Sequence, residues 1–331
     1  MVTLKDVAEK CGVSVSTVSR AMNGVELINA DRAEEIRAAA REMGYAPNAV
    51  ARTLKTKRSM TLGILYETRF DHPYFSLLFE AVRSGAEKRG YDLLLLSRIR
   101  KNGRLDYSET ALSRQMDGVI IVYADPGAYG LHRLLTGNIP VISVDRCDRE
   151  CRSVSSDYRQ GTRTQVGAAV AKGHRRIAFL HGQMGYATHE RLLGFHEALA
   201  ENGLEAKREY LRPVRFNDAR LCAEETLKLL ALPEPPTCIL MPDDFSALNA
   251  LQILREQNIS APRDFSCMGY DGIDWAQRLS PRLTTYRQNI AAISDAVLDA
   301  VTADPGGADI RQAAETFVTG EFIPGETLAD A

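Results

Sequence analysis

The sequence predicts an all-α helix-turn-helix head with a hinge helix, followed by an α/β core of two doubly wound lobes. Three observations carry that prediction. The first sixty residues hold short apolar stripes at helical spacing, separated by glycines. From Thr61 onward, β-branched or Leu-rich runs alternate with amphipathic helical stretches, the pattern of a parallel sheet with crossover helices. That alternation restarts after Asp157, which reads as a second lobe. The boundaries are 1–46 for the head, 47–59 for hinge and linker, and 60–331 for the core. Within the core, lobe one is expected at about 60–160 plus 290–320 and lobe two at about 161–288.

In the head, Leu4, Val7, Ala8 and Cys11 form the stripe of a first helix that Gly12 ends. Ser14 is placed to cap a second helix over about 15–23, with Val18, Ala21 and Met22 inward and Val15, Ser16, Thr17 and Arg20 on the other face. Two short helices joined by a Gly-containing turn describe a helix-turn-helix. A third helix over about 30–43, capped by Asn29 or Asp31, offers Ala33, Ile36, Ala40 and Met43 to the same core. The segment from Asn48 to Thr56 is shorter than the ~12 to 15 residues an isolated helix needs in water, so it is expected to be helical only when docked. Its Leu54, beside Lys55, Lys57 and Arg58, has the character of a minor-groove wedge, although a linker with one buried Leu has the same pattern.

Composition sets limits on function. The 331-residue chain is 45% hydrophobic and 25% charged, which disfavours disorder. Its longest apolar runs fall far short of the ~20 residues of a membrane-spanning helix. Neither an export signal nor a lipidation box is visible, so a cytoplasmic location and reduced cysteines are expected. The net charge of -2 argues against nucleic acid until it is divided. Residues 1–58 carry ten Lys/Arg against seven Asp/Glu, a net of +3, and the remainder is -5. A basic head on an acidic body is the outline of a nucleic-acid-binding module attached to something else.

Doubly wound sheets bind ligands at the carboxyl ends of their strands. Asp145-Arg146 follow PVISV, Asp243-Asp244 follow TCILMP, Asp271 ends SCMGYD, and Arg191 lies on the helix after RIAFLHG. Converging carboxylates and guanidinium groups suit a hydroxyl-rich small molecule, with Tyr74, Phe75 and Phe216 as stacking faces. Strand-end acids also cap helices, and Asp244, taken to precede a helix near Phe245, best fits that role.

The string Thr3-Leu-Lys-Asp-Val-Ala, Val13-Ser14, Thr17-Val-Ser-Arg20, Asn23, Gly44-Tyr45 and Pro47-Asn-Ala-Val-Ala-Arg52-x-Leu54 resembles the LacI/GalR family of bacterial transcriptional regulators. The core carries the resemblance onward through His72-Pro-Tyr-Phe75, Asp145-Arg146, Arg191, Gly269-Tyr-Asp271 and Leu283-Thr-Thr285 with Gln288, as a periplasmic-binding-protein-like fold. It implies that Val15, Ser16 and Arg20 face base edges in the major groove, and that Ser14, Thr17, Ser19, Asn23 and Asn29 contact phosphates. It implies that Leu54 and its twin from a second subunit enter the minor groove, with Lys55 beside them, on double-stranded operator DNA. It also implies a small effector, a sugar or sugar derivative with a purine-like ring as the lesser expectation, held by Tyr74, Phe75, Asp145, Arg146, Arg191, Phe216, Asp243, Asp271 and Gln288. The partners expected are therefore operator DNA, an effector and a second copy of the chain, with no membrane.

Departures from the family pattern fall at Asp243 and Gly272 and in the closing Phe322-Ile-Pro-Gly-Glu326, so the effector does not transfer from a relative. No leucine heptad follows residue 320, and a homodimer is expected. Cys147 and Cys151 lack a second metal-ligating pair, the scattered His181, His189 and His196 match no metal motif, and no nucleophile elbow or phosphate loop appears. Neither cofactor nor enzyme activity is expected. The alternatives are a sugar-binding protein or a sugar-processing enzyme on the same core.

Overall fold

The computed structural model describes residues 2–22, 28–45, 53, 58–66, 72–96, 99–101, 104–123, 129–145, 151–303 and 314–331. The chain forms two compact units, Met1–Ser59 and Met60–Ala331. Leu54 and Lys55 of the expected hinge, with Asn23, Arg146 and Cys147, lie outside the described residues.

The first unit is built from α1 (Leu4–Cys11), α2 (Val15–Met22) and α3 (Ala30–Glu42). Thr3 and Asp6 form a reciprocal capping box on α1, and Gly12 ends that helix at φ 63°, a conformation only glycine adopts without strain. Ser14 begins α2 as expected, its Oγ accepting the Thr17 N–H at 3.2 Å. Asn29 caps α3 by accepting from the N–H groups of Asp31 and Arg32. Val7, Ala8, Val18, Ala21, Ala33, Ile36 and Ala40 bury one small core, the stripes read from the sequence.

Lobe one of the second unit contains β1 (Thr61–Tyr66), β2 (Asp92–Leu95), β5 (Gly118–Tyr123), β6 (Val141–Val144), β7 (Arg152–Ser156) and β13 (Glu315–Val318). They lie in the order β13-β7-β6-β5-β1-β2, all parallel. Both faces are covered, which is why these strands read as near-continuous apolar runs. On one face α4 (Pro73–Lys88) and α11 (Ile290–Thr302) pack Leu78, Val82, Val297 and Leu298 against Leu62, Ile64 and Ile120. On the other, α5 (Ser108–Ser113) and α6 (Tyr129–Leu135) pack Ala111, Leu131 and Leu134 against Leu65, Val119 and Ile121.

Lobe two contains β8 (Ile177–His181), β9 (Leu211–Pro213), β10 (Cys238–Leu240), β11 (Ser266–Asp271), β12 (Thr284–Arg287) and β14 (Glu321–Ile323). Their order is β14-β12-β11-β10-β8-β9, with only β14 antiparallel to its neighbour. Helices α7 (Tyr158–Ala171) and α8 (Tyr186–Glu201) contribute to one core layer, α9 (Ala219–Leu230) and α10 (Asp244–Arg255) to the other. Lobe two reaches further than the 288 limit expected, because β14 and the segment to Ala331 return to it. Thr327 Oγ1 donates to the Cys267 carbonyl at 2.8 Å, and the His174 ring meets the Ala329 carbonyl at 3.1 Å. The sequence pattern also omitted α6, β13, β14 and the hairpin of β3 (Ile99–Lys101) and β4 (Arg104–Asp106). Each is too short to show a period.

Three described segments cross between the lobes: Ser156 to Tyr158, Arg287 to Ile290, and Val318 to Glu321. The Asp157 N–H donates to the Val318 carbonyl at 2.9 Å and the Gly320 N–H to the Tyr286 hydroxyl at 2.9 Å, tying crossings to one another. Beneath them, Gly269 of β11 lets Asp244 approach: a Cβ there would stand 2.1 Å from Asp244 Oδ1 and 2.7 Å from Leu283. Gly269→Ala is therefore expected to destabilise the core by about 2 kcal/mol in urea unfolding, as overpacked sites do. An unchanged midpoint would show that Asp244 moves aside at no cost.

Candidate effector site and DNA-facing helix

The exposed face of α2 presents Val15, Ser16 and Arg20, with Thr17 and Ser19 half-buried at its flank. This face follows from the inward placing of Val18 and Ala21. Ser16 Oγ and Thr17 Oγ1 each lie 2.8 Å from Ser14 Oγ, so the three hydroxyls form a local network. Ser14 and Asn29, read as phosphate contacts, act in this structure as helix caps through Oγ and Oδ1. On α3, Arg32 pairs with Glu35, and Arg37 and Arg41 pair with Glu34. Such exposed pairs add little stability.

In the second unit, polar side chains from both lobes converge at the junction. Asp145 follows β6 at φ 60° and Asp271 ends β11 at φ 107°. Positive φ is uncommon outside glycine, and its presence at two strand-end aspartates marks backbone strained to aim a side chain. Tyr158, the first residue of α7, donates its hydroxyl to Asp145 Oδ2 at 2.9 Å, bridging the lobes. Asp145 Oδ1 is left buried without a partner. Tyr186 of α8 makes a second bridge, donating to Glu315 of β13, which Ser155 also approaches at 3.2 Å.

Arg191 is 2% exposed. Its guanidinium lies over the Tyr270 ring at 4.0 Å, a cation–π arrangement, and donates to the carbonyls of Pro242 at 2.5 Å and Met241 at 3.1 Å. Its Nε–H has no partner. Gln288 Nε2 donates to Asp271 Oδ1 at 2.7 Å and leaves its Oε1 unpaired. The hydroxyls of Tyr74 and Tyr270 and the Ser156 Oγ are also buried without a hydrogen bond of good geometry, with Tyr158 near the first and the other two near each other. Buried polar atoms are nearly always partnered, so a cluster of unpaired ones at one place marks a candidate ligand site.

Electrostatics agree with that reading. Burial pushes the Asp145 carboxyl up to about 7, against the Tyr158 hydrogen bond, with Glu315 adding repulsion. Asp271 is raised well above the carboxylate range by burial, then by Asp244 and Asp243. Tyr74 is raised by burial, then by Asp145 of lobe one and Asp271 of lobe two, which places its hydroxyl within the field of both. Perturbed, desolvated carboxyls with a buried guanidinium beside them are the mark of a functional site.

Two expectations exchange places. Asp243, read as a ligand residue, is the N-cap of α10: its Oδ1 accepts from the Ser246 N–H at 2.6 Å and its Oδ2 from the Ser246 hydroxyl at 2.7 Å and the Asn217 N–H at 3.2 Å. Asp244, read as the cap, is the first helical residue and accepts from the Thr285 hydroxyl at 2.6 Å and the Ile273 N–H at 2.9 Å. The helix begins one residue earlier than expected, which turns Asp243 to the cap and Asp244 into the lobe. Burial raises Asp244 to about 7, with those two hydrogen bonds working against the rise.

Phe216 is half-buried over Gly182, where a Cβ would meet its ring at 2.1 Å, and Phe75 packs among Tyr66, His72 and Tyr74. Sequence reasoning missed Ser156, Tyr158 and Tyr270. The strand-end rule applied to β7 would have found the first two. A cleft of about 310 Å³ on lobe one, lined by Arg152, Val154, Asp299 and Thr316, lacks such unpaired atoms and abuts undescribed residues.

An exposed helix of helix-turn-helix type on one unit and a cluster of buried polar groups where the lobes of the other meet are the features of a DNA-binding regulator controlled by a small ligand. Residues 3–48 match the profile of bacterial regulatory proteins of the lacI family, and residues 166–328 match that of a periplasmic binding protein-like domain. The repressor PurR of Vibrio parahaemolyticus is 31% identical over 297 residues, 87% of each chain. The probable repressor ExuR of Bacillus subtilis is 28% identical over 301 residues, 89% of each. The lac repressor dimer bound to operator and the anti-inducer ONPF superposes with a TM-score of 0.79 at 26% identity, covering 99% of each chain. The chain belongs to the lacI family of bacterial regulatory proteins. That is a family of transcriptional regulators, not of enzymes. Among the described residues no helix is long and apolar enough to cross a membrane.

Asp145 supplies a direct test. An acid whose folded pKa is raised binds extra protons when folded, so stability falls as pH climbs from about 4 to about 7 and the penalty is complete above that. Asp145→Asn is expected to stabilise the ligand-free protein by about 2 kcal/mol near pH 8 and by nothing below about pH 4. Urea unfolding across that range checks it, and equal stabilisation at both ends would contradict a buried, titrating carboxyl.

Proposed function

We propose that this regulator is a repressor that binds a pseudo-palindromic operator as a homodimer and is switched by a sugar or sugar derivative held at the lobe junction. The observation that carries the effector site is the set of unpaired buried polar atoms drawn from both lobes: Tyr74 and Asp145 from one, Arg191, Tyr270 and Gln288 from the other. Arg146 joins them by the family pattern. Phe75 and Phe216 border the chamber, and Asp243 acts through the cap it makes for α10.

On the DNA side, Arg20 forks onto guanine, Val15 offers methyl groups to a thymine methyl, and Ser16 completes the reading of base edges. Thr17, Ser19 and the undescribed Asn23 contact phosphates, with Ser14 and Asn29 setting the helix ends. Leu54 and Lys55 act in the minor groove. Two-fold half-sites require a dimer, and the exposed Trp275 and Leu279, at 68% and 46%, suit a surface that a second copy covers. A DNA-binding role places the protein in the cytoplasm.

Control follows from linkage. The bridges from Tyr158 to Asp145 and from Tyr186 to Glu315 hold one lobe arrangement. A ligand contacting both lobes shifts the arrangement only by its differential affinity for the two states. An effector preferring the DNA-competent arrangement co-represses, and one preferring the other induces.

Selection of bound sequences from a random duplex pool tests the reading, with enrichment of an inverted repeat expected. Arg20→Ala is expected to weaken binding to the selected operator by about 10- to 100-fold and to relax preference at one guanine per half-site. Absence of a symmetric motif would overturn the operator reading. An unaltered guanine preference in the variant would remove Arg20 from base recognition.

A further inference from the structure

We propose that the junction selects an uncharged ligand rich in hydrogen-bond donors, a polyol or a ring bearing N–H groups, and rejects sugar acids and sugar phosphates. The inference rests on the junction being the effector site and narrows the chemistry of what it holds.

The unpaired atoms have a directional bias. Gln288 Oε1 acts as an acceptor because Gln288 Nε2 is already committed to Asp271, and Asp145 Oδ1 accepts when its carboxyl is ionised. Arg191 Nε–H is the one fixed donor among the unpaired atoms named above. The Tyr74, Tyr270 and Ser156 hydroxyls serve in either sense. A ligand that satisfies this set must donate to Gln288 Oε1 and, when that carboxyl is ionised, to Asp145 Oδ1, as hydroxyls and ring N–H groups do and as a carboxylate or phosphate group does not.

Charge points the same way. Asp271, Asp243 and Asp244 are buried and Asp145 is half-buried, and Arg191 is the buried cation described among them. Arg191 already commits one N–H of each terminal nitrogen to the Met241 and Pro242 carbonyls, so only part of its donor set is left to meet a carboxylate or phosphate. The helix N-termini of α7 and α10, which would otherwise attract an anion, already hold the Asp157 and Asp243 carboxylates. An anion entering this chamber would be desolvated among carboxyls without a matching cation. A neutral donor meets no such cost.

The test uses matched ligands on the full chain: glucose, glucuronate and glucose 6-phosphate; ribose and ribose 5-phosphate; inosine and its 5′-monophosphate. Thermal shift at constant ionic strength, followed by calorimetry, is expected to show the neutral member of at least one set binding about tenfold or more tighter than its anionic partners. An anion that binds more tightly than its neutral parent overturns the proposal. So does a panel in which no neutral compound binds below about 1 mM. Inorganic phosphate provides a ligand-independent control, and saturable stabilisation by phosphate that Arg191→Met abolishes would also overturn it. The junction reading fails separately: a neutral ligand whose affinity is untouched by both Gln288→Leu and Tyr270→Phe binds elsewhere.

Discussion

The core is organised around a cost: carboxyls and a guanidinium held out of water at the lobe junction with their hydrogen-bonding capacity unfilled. Charges are normally buried only when paired. Here Asp145 and Asp271 are driven upward by burial, and Arg191 rests on Tyr270 with its Nε–H unused. Two parallel sheets supply the rigidity that keeps these groups in place, since each aspartate ends a strand whose neighbours are hydrogen-bonded on both sides. The strain appears in the backbone as positive φ at both positions. A site held this way gains most from a ligand that fills it, and that gain is available to do work elsewhere in the molecule.

The topology makes the gain transmissible. Among the described residues three segments join the lobes, and tyrosines of lobe two reach carboxylates of lobe one at two points. One of those bridges, Tyr158 to Asp145, uses a residue of the chamber, so a ligand competing for Asp145 alters a contact that also fixes the lobe arrangement. The other, Tyr186 to Glu315, lies outside the unpaired set and supplies a bias present with or without ligand. The small-residue contacts at Gly161, where a Cβ would stand 2.6 Å from the Tyr270 hydroxyl, show how closely α7 is drawn against this region.

Much of this was legible in the sequence because local rules produce it. The stripe Val18, Ala21 fixes which face of α2 is exposed, so Val15, Ser16 and Arg20 could be assigned outward before any coordinates. The rule that ligands meet strand ends found Asp145 and Asp271, and the helix following β8 gave Arg191. One site reading erred by a single residue: a helix starting at Asp244 instead of Phe245 made Asp243 the cap and turned Asp244 onto Thr285 and Ile273. What was illegible depends on distance along the chain. Tyr186 and Glu315 meet across 129 positions, and Tyr270 reads locally as one more apolar residue of a buried strand. Strands β13 and β14, with ETFV and EFI, are short and partly exposed, and only their partners define them.

The central claim is that filling the junction chamber and changing DNA affinity are one event. Operator affinity, measured with and without a saturating ligand from the panel in the parent and in Tyr270→Phe, tests it most directly. Operator affinity in the parent should shift with ligand, and the ligand concentration needed should rise in the variant by the same factor as its binding constant. A shift in operator affinity that keeps its original midpoint while binding at the junction is weakened would separate the two and contradict the account.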